Sequence, residues 1–248
     1  MKVYETGNIR NVVVMGHGGC GKTTLVEAIA YQTGITARMG KVTDGNTISD
    51  YDKEEQKRQF SISTSVVPVE FEDIKINFLD TPGYFDFVGE VEEACHAAGA
   101  AVIVINGKSG VEVGTLKAWE LCEKYKLPRL FFVTGMDDDQ ASYRKIVLEL
   151  NDRFGRKVAP FHVPIRENEK FVGFVNVVKM KGRRFINDTS EYEECDIPDY
   201  MDKHLNISRD ALVEAVADTS EELMERYFAG EEFTYEEVST ALRTHVMD

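Results

Sequence analysis

The chain has 248 residues, 43% of them hydrophobic, which is enough to build a substantial core, and no apolar run approaches the roughly 20 residues that cross a bilayer. The amino terminus, MKVYETGNIRN, lacks the apolar centre of a secretory signal, so the expected compartment is the cytoplasm and no membrane is expected as a partner. Cys20, Cys95, Cys122 and Cys195 lie far apart without CxxC or Cys/His spacing, which argues against a zinc site or disulfide framework and for reduced thiols. The net charge of -14 is confined to one end: residues 187–248 hold 18 acidic and four basic residues, whereas residues 1–186 hold 25 of each. Such a segment repels phosphate backbones and attracts basic partners, so sequence-specific DNA binding is not expected of it; a solubilising face is the plain alternative.

Residues 11–15, NVVVM, form a β-branched apolar run that reads as a buried strand, followed by a glycine cluster and then by apolar residues at helical spacing up to Gly34. From 35 to 59 the chain is polar and weakly periodic, too long for an ordinary connection, and reads as a functional, mobile loop. Two strand-like runs, 66–71 and 74–79, are separated only by Glu72 and Asp73 and should pair as a hairpin, with Pro68 marking an edge strand. Apolar runs at 100–105 and 129–134 then alternate with helical stretches near 87–98, 111–125 and 139–153. This predicts an α/β fold, a mostly parallel sheet with helices on both faces, and the GxxxxGK[ST] match at residues 16–23 makes it one of the P-loop NTPase kind. Beyond Gly155 the rhythm changes to short strands at 161–165, 171–178 and 183–187 and helices near 208–228 and 234–246. The expected organisation is a nucleotide-binding domain over 1–155 and an inserted α+β subdomain over 156–248.

Gly16-His17-Gly18-Gly19-Cys20-Gly21-Lys22-Thr23 fits GxxxxGK[ST] between a strand and a helix. In such a loop, successive backbone N–H groups and the helix's positive end hold a β-phosphate; Lys22 reaches the β- and γ-phosphates, Thr23 ligates Mg2+, and Thr24 continues the cradle. Asp80-Thr81-Pro82-Gly83 closes the hairpin's second strand, where Asp80 would hold magnesium through a water and the Gly83 N–H would meet the γ-phosphate. The segment Thr134-Gly135-Met136-Asp137 ends the next strand. A carboxylate at Asp137 can accept from N1–H and the 2-amino group of guanine, whereas adenine presents a bare N1 to the charge, so GTP and GDP are expected over adenine nucleotides. Ser61 ends the long loop and offers magnesium a second hydroxyl once a γ-phosphate is present. For DTPG, Asp137 and Ser61 alike, an ordinary polar turn is the competing reading.

The stretches GHGGCGKTTL, GKVTDGNTISDYDKEEQKRQFSIS and DTPGYFDFVGEVEEA, with the strand before Asp137 and the strand-plus-acidic-helix region after Gly155, resemble the translational GTPases, and within them elongation factor G. The resemblance implies a GTPase of protein biosynthesis, with GTP/GDP and Mg2+ as cofactors and the ribosome as partner. Hydrolysis would rest on Lys22, Gly83 and the residue after it, Tyr84. It also implies that the acidic helical face, Glu214, Asp218, Glu221 and Glu225, meets the ribosomal stalk protein. Spaced 4, 3 and 4, these acids would form one stripe on a single helix, with Leu212, Val216, Leu223 and Tyr227 opposite, although Thr219-Ser-Glu-Glu222 also fits a capping box that would start a second helix.

The family's pattern differs at Gly19, which replaces an aspartate, at Ser61, which replaces a threonine, at TGMD for NKxD, and at Tyr84, which replaces a histidine. The glycine-bearing phosphate loop and Tyr84 resemble the divergent second-copy branch of elongation factor G. The family's guanine-reading SAxK loop has no counterpart, so the chain is expected to stop before the final strand of the domain. Two rival readings are a guanine-nucleotide module that binds weakly without turnover, and a P-loop ATPase or kinase, which Asp137 and the long loop disfavour.

Overall fold

The computed structural model describes residues 2–155, 158–168, 170–186 and 191–245; the expected strand end at residue 187 and helix end at residue 246 lie outside them. The chain forms two compact units, Met1–Gly135 and Met136–Asp248.

In the first unit the elements run β1 (Ile9–Gly16), α1 (Lys22–Gln32), α2 (Lys53–Arg58), β2 (Ser65–Phe71), β3 (Ile74–Asp80), α3 (Val88–Ala97), β4 (Ala100–Asn106), α4 (Val113–Tyr125) and β5 (Arg129–Thr134). The sheet order is β2-β3-β1-β4-β5, with β2 antiparallel to β3 and every other pair parallel. Central β1 is buried on both faces, which is why it reads as an unbroken apolar run rather than an alternating one. Its period of two still sorts the core. Val13 and Met15 pack with Ala94 and Cys95 of α3 and Ala118 and Cys122 of α4, while Val14 packs with Val26 and Ala30 of α1 and with Val67 and Val69 of β2. Because β1, β3, β4 and β5 are parallel, Gly16, Asp80, Asn106 and Thr134 all finish at one edge of the sheet. That is the edge at which open α/β sheets bind ligands. Pro68, on edge strand β2, costs no ladder hydrogen bond in the sheet interior.

The loop over 35–59 carries more structure than its weak periodicity predicts. It contains a 3-10 turn, Val42–Asp44, and the short helix α2, which starts at a reciprocal capping box between Asp52 and Glu55. A six-residue helix has no room for an amphipathic period, so its caps were the only sequence signal.

The second unit begins with α5 (Tyr143–Phe154), followed by the antiparallel sheet β6 (His162–Glu167), β7 (Lys170–Asn176), β8 (Lys181–Phe185) and β9 (Tyr192–Cys195), and by α6 (Asp202–Ala217), α7 (Glu221–Phe228) and α8 (Tyr235–His245). Val163, Ile165, Val175 and Val177 from the sheet side pack with Leu205, Leu212, Val216 and Val238 from the helices, and Tyr143 of α5 packs against the same cluster. That packing places α5 with the second compact unit, and the two units meet between Gly135 and Met136 along the chain.

The single acidic helix expected across 208–228 is two helices. α6 ends at its C-cap Asp218, and α7 begins at N-cap Ser220, whose hydroxyl accepts from the Leu223 N–H at 3.2 Å. The cap sits one residue later than the Thr219-to-Glu222 pattern predicted. Glu214 and Asp218 therefore belong to α6 and its cap, and Glu221 and Glu225 to α7, so the four acids do not share one helical stripe. The apolar side is as expected: Leu212 and Val216 are fully buried, and Leu223 and Tyr227 pack on the same core. Ser220→Ala should lower the stability of the second unit by about 1 kcal/mol, read as a lower urea midpoint of its unfolding transition.

Candidate nucleotide site

The phosphate loop leaves β1 at Gly16 and enters α1 at Lys22. Its last glycine, Gly21, is the helix N-cap in the left-handed region at φ 96°, a conformation that costs other residues about 1 kcal/mol or more. The Lys22 ammonium donates to the carbonyls of Gly16 at 3.1 Å and His17 at 2.9 Å, bridging the mouth of the loop. On the far side, the Thr134 hydroxyl at the end of β5 donates to the Cys20 carbonyl at 2.6 Å and ties the loop to the neighbouring strand end. His17 accepts from the Gly114 N–H through Nδ1 at 3.3 Å, and its Nε2 lies 3.6 Å from Glu112. Cys20 is buried, whereas Gly19 and Thr24 are exposed.

Beside the loop lies a cluster of buried hard oxygens. Thr23 Oγ1 and Ser61 Oγ are 3.2 Å apart, and the Ser61 hydroxyl donates to Asp50 Oδ1 at 2.7 Å. The other Asp50 oxygen, both Asp80 oxygens and the Ser49 hydroxyl are buried without a hydrogen-bond partner. Burial pushes the Asp80 carboxyl up to about 6, and burial also raises Asp50. The Thr23 and Ser49 hydroxyls and the Lys22 ammonium pull Asp80 the other way, yet none closes a hydrogen bond to it. Unpaired buried oxygens are rare and costly, and hydroxyls with one or two carboxylates are the donor set magnesium accepts, so the residues fit that ion. Among the described residues no group of three or more His, Cys, Asp or Glu is placed to hold a metal alone. An ion here would therefore complete its shell with water and a bound phosphate. Ser49 and Asp50 were missed from sequence because a polar loop gives no sign of which of its acids is buried.

Three carboxylates hold the loop that brings Ser61 to this place. Glu27 of α1, 1% exposed, accepts from the N–H groups of Gly40 and Ile48, both at 2.7 Å. Glu55 of α2 accepts from Ile62 and Ser63 at 2.9 and 3.1 Å, and Glu90 accepts from Thr64 at 2.7 Å. Carboxylate-to-amide bonds of this kind are charge-assisted and stronger than neutral ones.

After Asp80 the chain is pinned to β1, since the Thr81 hydroxyl donates to the Val14 carbonyl at 2.7 Å and Pro82 is buried. Gly83 then passes so close to the phosphate loop that a Cβ on it would meet Lys22 Nζ at 2.4 Å and Gly18 Cα at 2.7 Å. Only glycine fits there. The Tyr84 ring lies over Gly18 and against Phe60, with ring centroids 4.7 Å apart, and remains 47% exposed. Phe60 was not singled out from sequence; it flanks Ser61 and so joins the long loop to the DTPG turn.

Thr134 and Gly135 close the first unit, while Met136 and Asp137 open the second. Gly135 is left-handed at φ 63°, so a lysine at this position would carry backbone strain of about 1 kcal/mol against any cover its stem gave to a base. Met136 is buried and Asp137 exposed.

Two outcomes follow from the buried carboxylates. Protonated Asp80 stabilises the metal-free fold below its unfolded value of 3.8, and that stabilisation is lost as pH rises through about 6. Asp80→Asn should therefore raise metal-free stability by about 3 kcal/mol above pH 7, with the gain fading toward pH 4, while removing the extra stability that Mg2+ with nucleotide gives the wild type. Thermal unfolding across pH with and without ligand checks both parts. Glu55→Ala should speed amide exchange at Ile62 and Ser63 by about 30-fold or more and leave Val13 and Val14 unchanged, as hydrogen-exchange mass spectrometry would show.

The family model of the elongation factor Tu GTP-binding domain matches residues 7–242. A solved crystal structure of a Thermus thermophilus protein is 37% identical and superimposes with a TM-score of 0.89 over 96% of this chain. The chain spans 36% of that protein's length. With the phosphate loop, the buried oxygen cluster and this match over nearly its whole length, the chain belongs to the family of elongation factor Tu-type GTP-binding domains.

Proposed function

We propose that this chain is the GTP-binding and GTP-hydrolysing part of an elongation factor G-like translational GTPase that works on the ribosome in the cytoplasm. The observation that carries the reading is the convergence of Thr23, Ser61, Asp50 and Asp80, drawn from the phosphate loop, the long loop and the end of β3, into one buried oxygen cluster. Such a convergence is what a γ-phosphate-sensing switch requires. Thr23 and Ser61 would hold Mg2+ directly and Asp80 through water, and the ion would supply charge neutralisation to the bound phosphates. Lys22 offers its ammonium to those phosphates and the Gly83 N–H a hydrogen bond to the γ-phosphate, so both stabilise negative charge that grows at the transferred group. Gly16 to Thr24 cradle the phosphates with backbone N–H groups, Asp80 to Tyr84 face the γ-phosphate, and Thr134 to Asp137 take the base. Asp137 selects guanine by accepting from N1–H and the 2-amino group.

Residues 156–248 of the second unit are read as the inserted subdomain. Asp218, Glu221 and Glu225 are exposed and Glu214 half-buried, so a basic partner would meet the junction of α6 and α7 rather than one helix face. The ribosomal stalk protein is the partner this reading names.

Tyr84 favours a slower variant of the same chemistry. Its ring lies at the phosphate-loop face, where a phenol offers one hydrogen bond and no positive charge. Intrinsic hydrolysis should be slow. Tyr84→His should raise single-turnover GTP hydrolysis on ribosomes by roughly 30-fold or more at unchanged nucleotide affinity. A fall in rate would make the phenol a participant. No ribosome-stimulated hydrolysis in either form would instead favour a nucleotide-holding module without turnover.

A further inference from the structure

Arg166 is the last residue but one of β6, in the second unit, and its guanidinium is engaged with a single stretch of backbone. It donates to the carbonyls of Met136 at 2.6 Å, Asp138 at 3.0 Å and Ala141 at 3.1 Å. These three acceptors bracket Asp137. The local register explains the aim. The β6–β7 ladder shifts between Ile165 and Arg166, a bulge of the kind that redirects a side chain, and the Tyr200 hydroxyl donates to the Arg166 carbonyl at 3.1 Å to hold the strand end. The buried side chains Met136 and Ala141 anchor the two ends of the stretch, the Ala141 N–H donates to the Asp138 carbonyl at 3.0 Å, and Asp137 stays exposed between them. Arg166 Nε is buried without a partner, a cost that the three carbonyl bonds offset.

We propose that Arg166 is the positioning residue for guanine recognition: it sets the backbone on which Asp137 is presented, so that the preference for guanine over a base lacking the 2-amino group depends on a strand of the second unit. This inference rests on the assignment of Asp137 as the base-reading carboxylate. A planar guanidinium suits the task because it can fan separate N–H groups toward several carbonyls at once. A lysine ammonium reaches the same stretch as a point donor and cannot reproduce the fan. Removing the side chain leaves the phosphate-binding residues of the first unit intact, so the defect should fall on the base alone.

The test compares binding of GDP, inosine diphosphate and pyrophosphate, each with Mg2+, to the 248-residue chain by calorimetry. Arg166→Ala should narrow the GDP to inosine diphosphate affinity ratio by about tenfold, and Arg166→Lys by about threefold, with pyrophosphate affinity unchanged in both. If Arg166→Ala does not fold, Arg166→Lys decides alone. An unchanged ratio, or an equal loss for pyrophosphate, overturns the proposal and leaves Arg166 a structural residue. Asp137→Asn separates this from failure of the base-reading assignment. It should shift preference from GDP toward xanthosine diphosphate, and if it does not, Asp137 is not the reader, whatever Arg166 does.

Discussion

The first unit is arranged around a negative charge kept out of water. Asp80 is fully enclosed at the end of β3, neither of its oxygens is hydrogen-bonded, and burial holds its carboxyl at about 6. A fold carries such a group only where something else compensates, because an unpaired buried carboxylate costs more than most hydrogen bonds return. The surroundings are built to keep the charge in place rather than to neutralise it. Thr81 is tied to β1, Gly83 is wedged against the phosphate loop, and the hydroxyls of Thr23 and Ser61 stand alongside. On the proposed function, this destabilisation in the free chain is what a bound cation and its phosphate would relieve.

The long loop obeys the same electrostatics with the opposite sign of effect. Glu27, Glu55 and Glu90 are carboxylates with their backbone partners in place, so they hold the chain where Asp50 and Asp80 leave valence open. A loop pinned by a few charge-assisted bonds, rather than by a hydrophobic core, can be ordered and released at modest cost. That is the physical property a nucleotide-sensing segment requires, and it makes the position of Ser61 depend on side chains well away from the phosphates.

The residues proposed to meet the phosphates lie in the first compact unit, and Asp137, proposed to read the base, opens the second. The phosphate loop and the DTPG turn belong to the first, whereas the backbone around Asp137 is gripped by Arg166 from the second. The acidic surface on α6 and α7 is in the second unit as well.

The parts of this protein that depend on short-range patterns were legible in the sequence alone. β1, the phosphate loop and α1 follow from β-branched residues, glycines and a lysine at fixed offsets, and the β2–β3 hairpin from two strand-like runs two residues apart. The buried side of α6 and α7 followed from helical spacing, and the start of α7 was visible as a rival capping pattern that proved to lie one residue later. Tertiary structure alone decided the rest. It selected Asp50 from a loop rich in acids, because which carboxylate is buried depends on β3 and α1 closing around it. It placed α5 with the second unit, because the contact of Tyr143 with that core is long-range. It joined Arg166 to the stretch around Asp137, since the carbonyls that guanidinium reaches lie 25 to 30 residues back along the chain, a separation that no local propensity spans. Local sequence fixes φ, ψ and period, whereas burial and long-range pairing exist only once the chain has closed on itself.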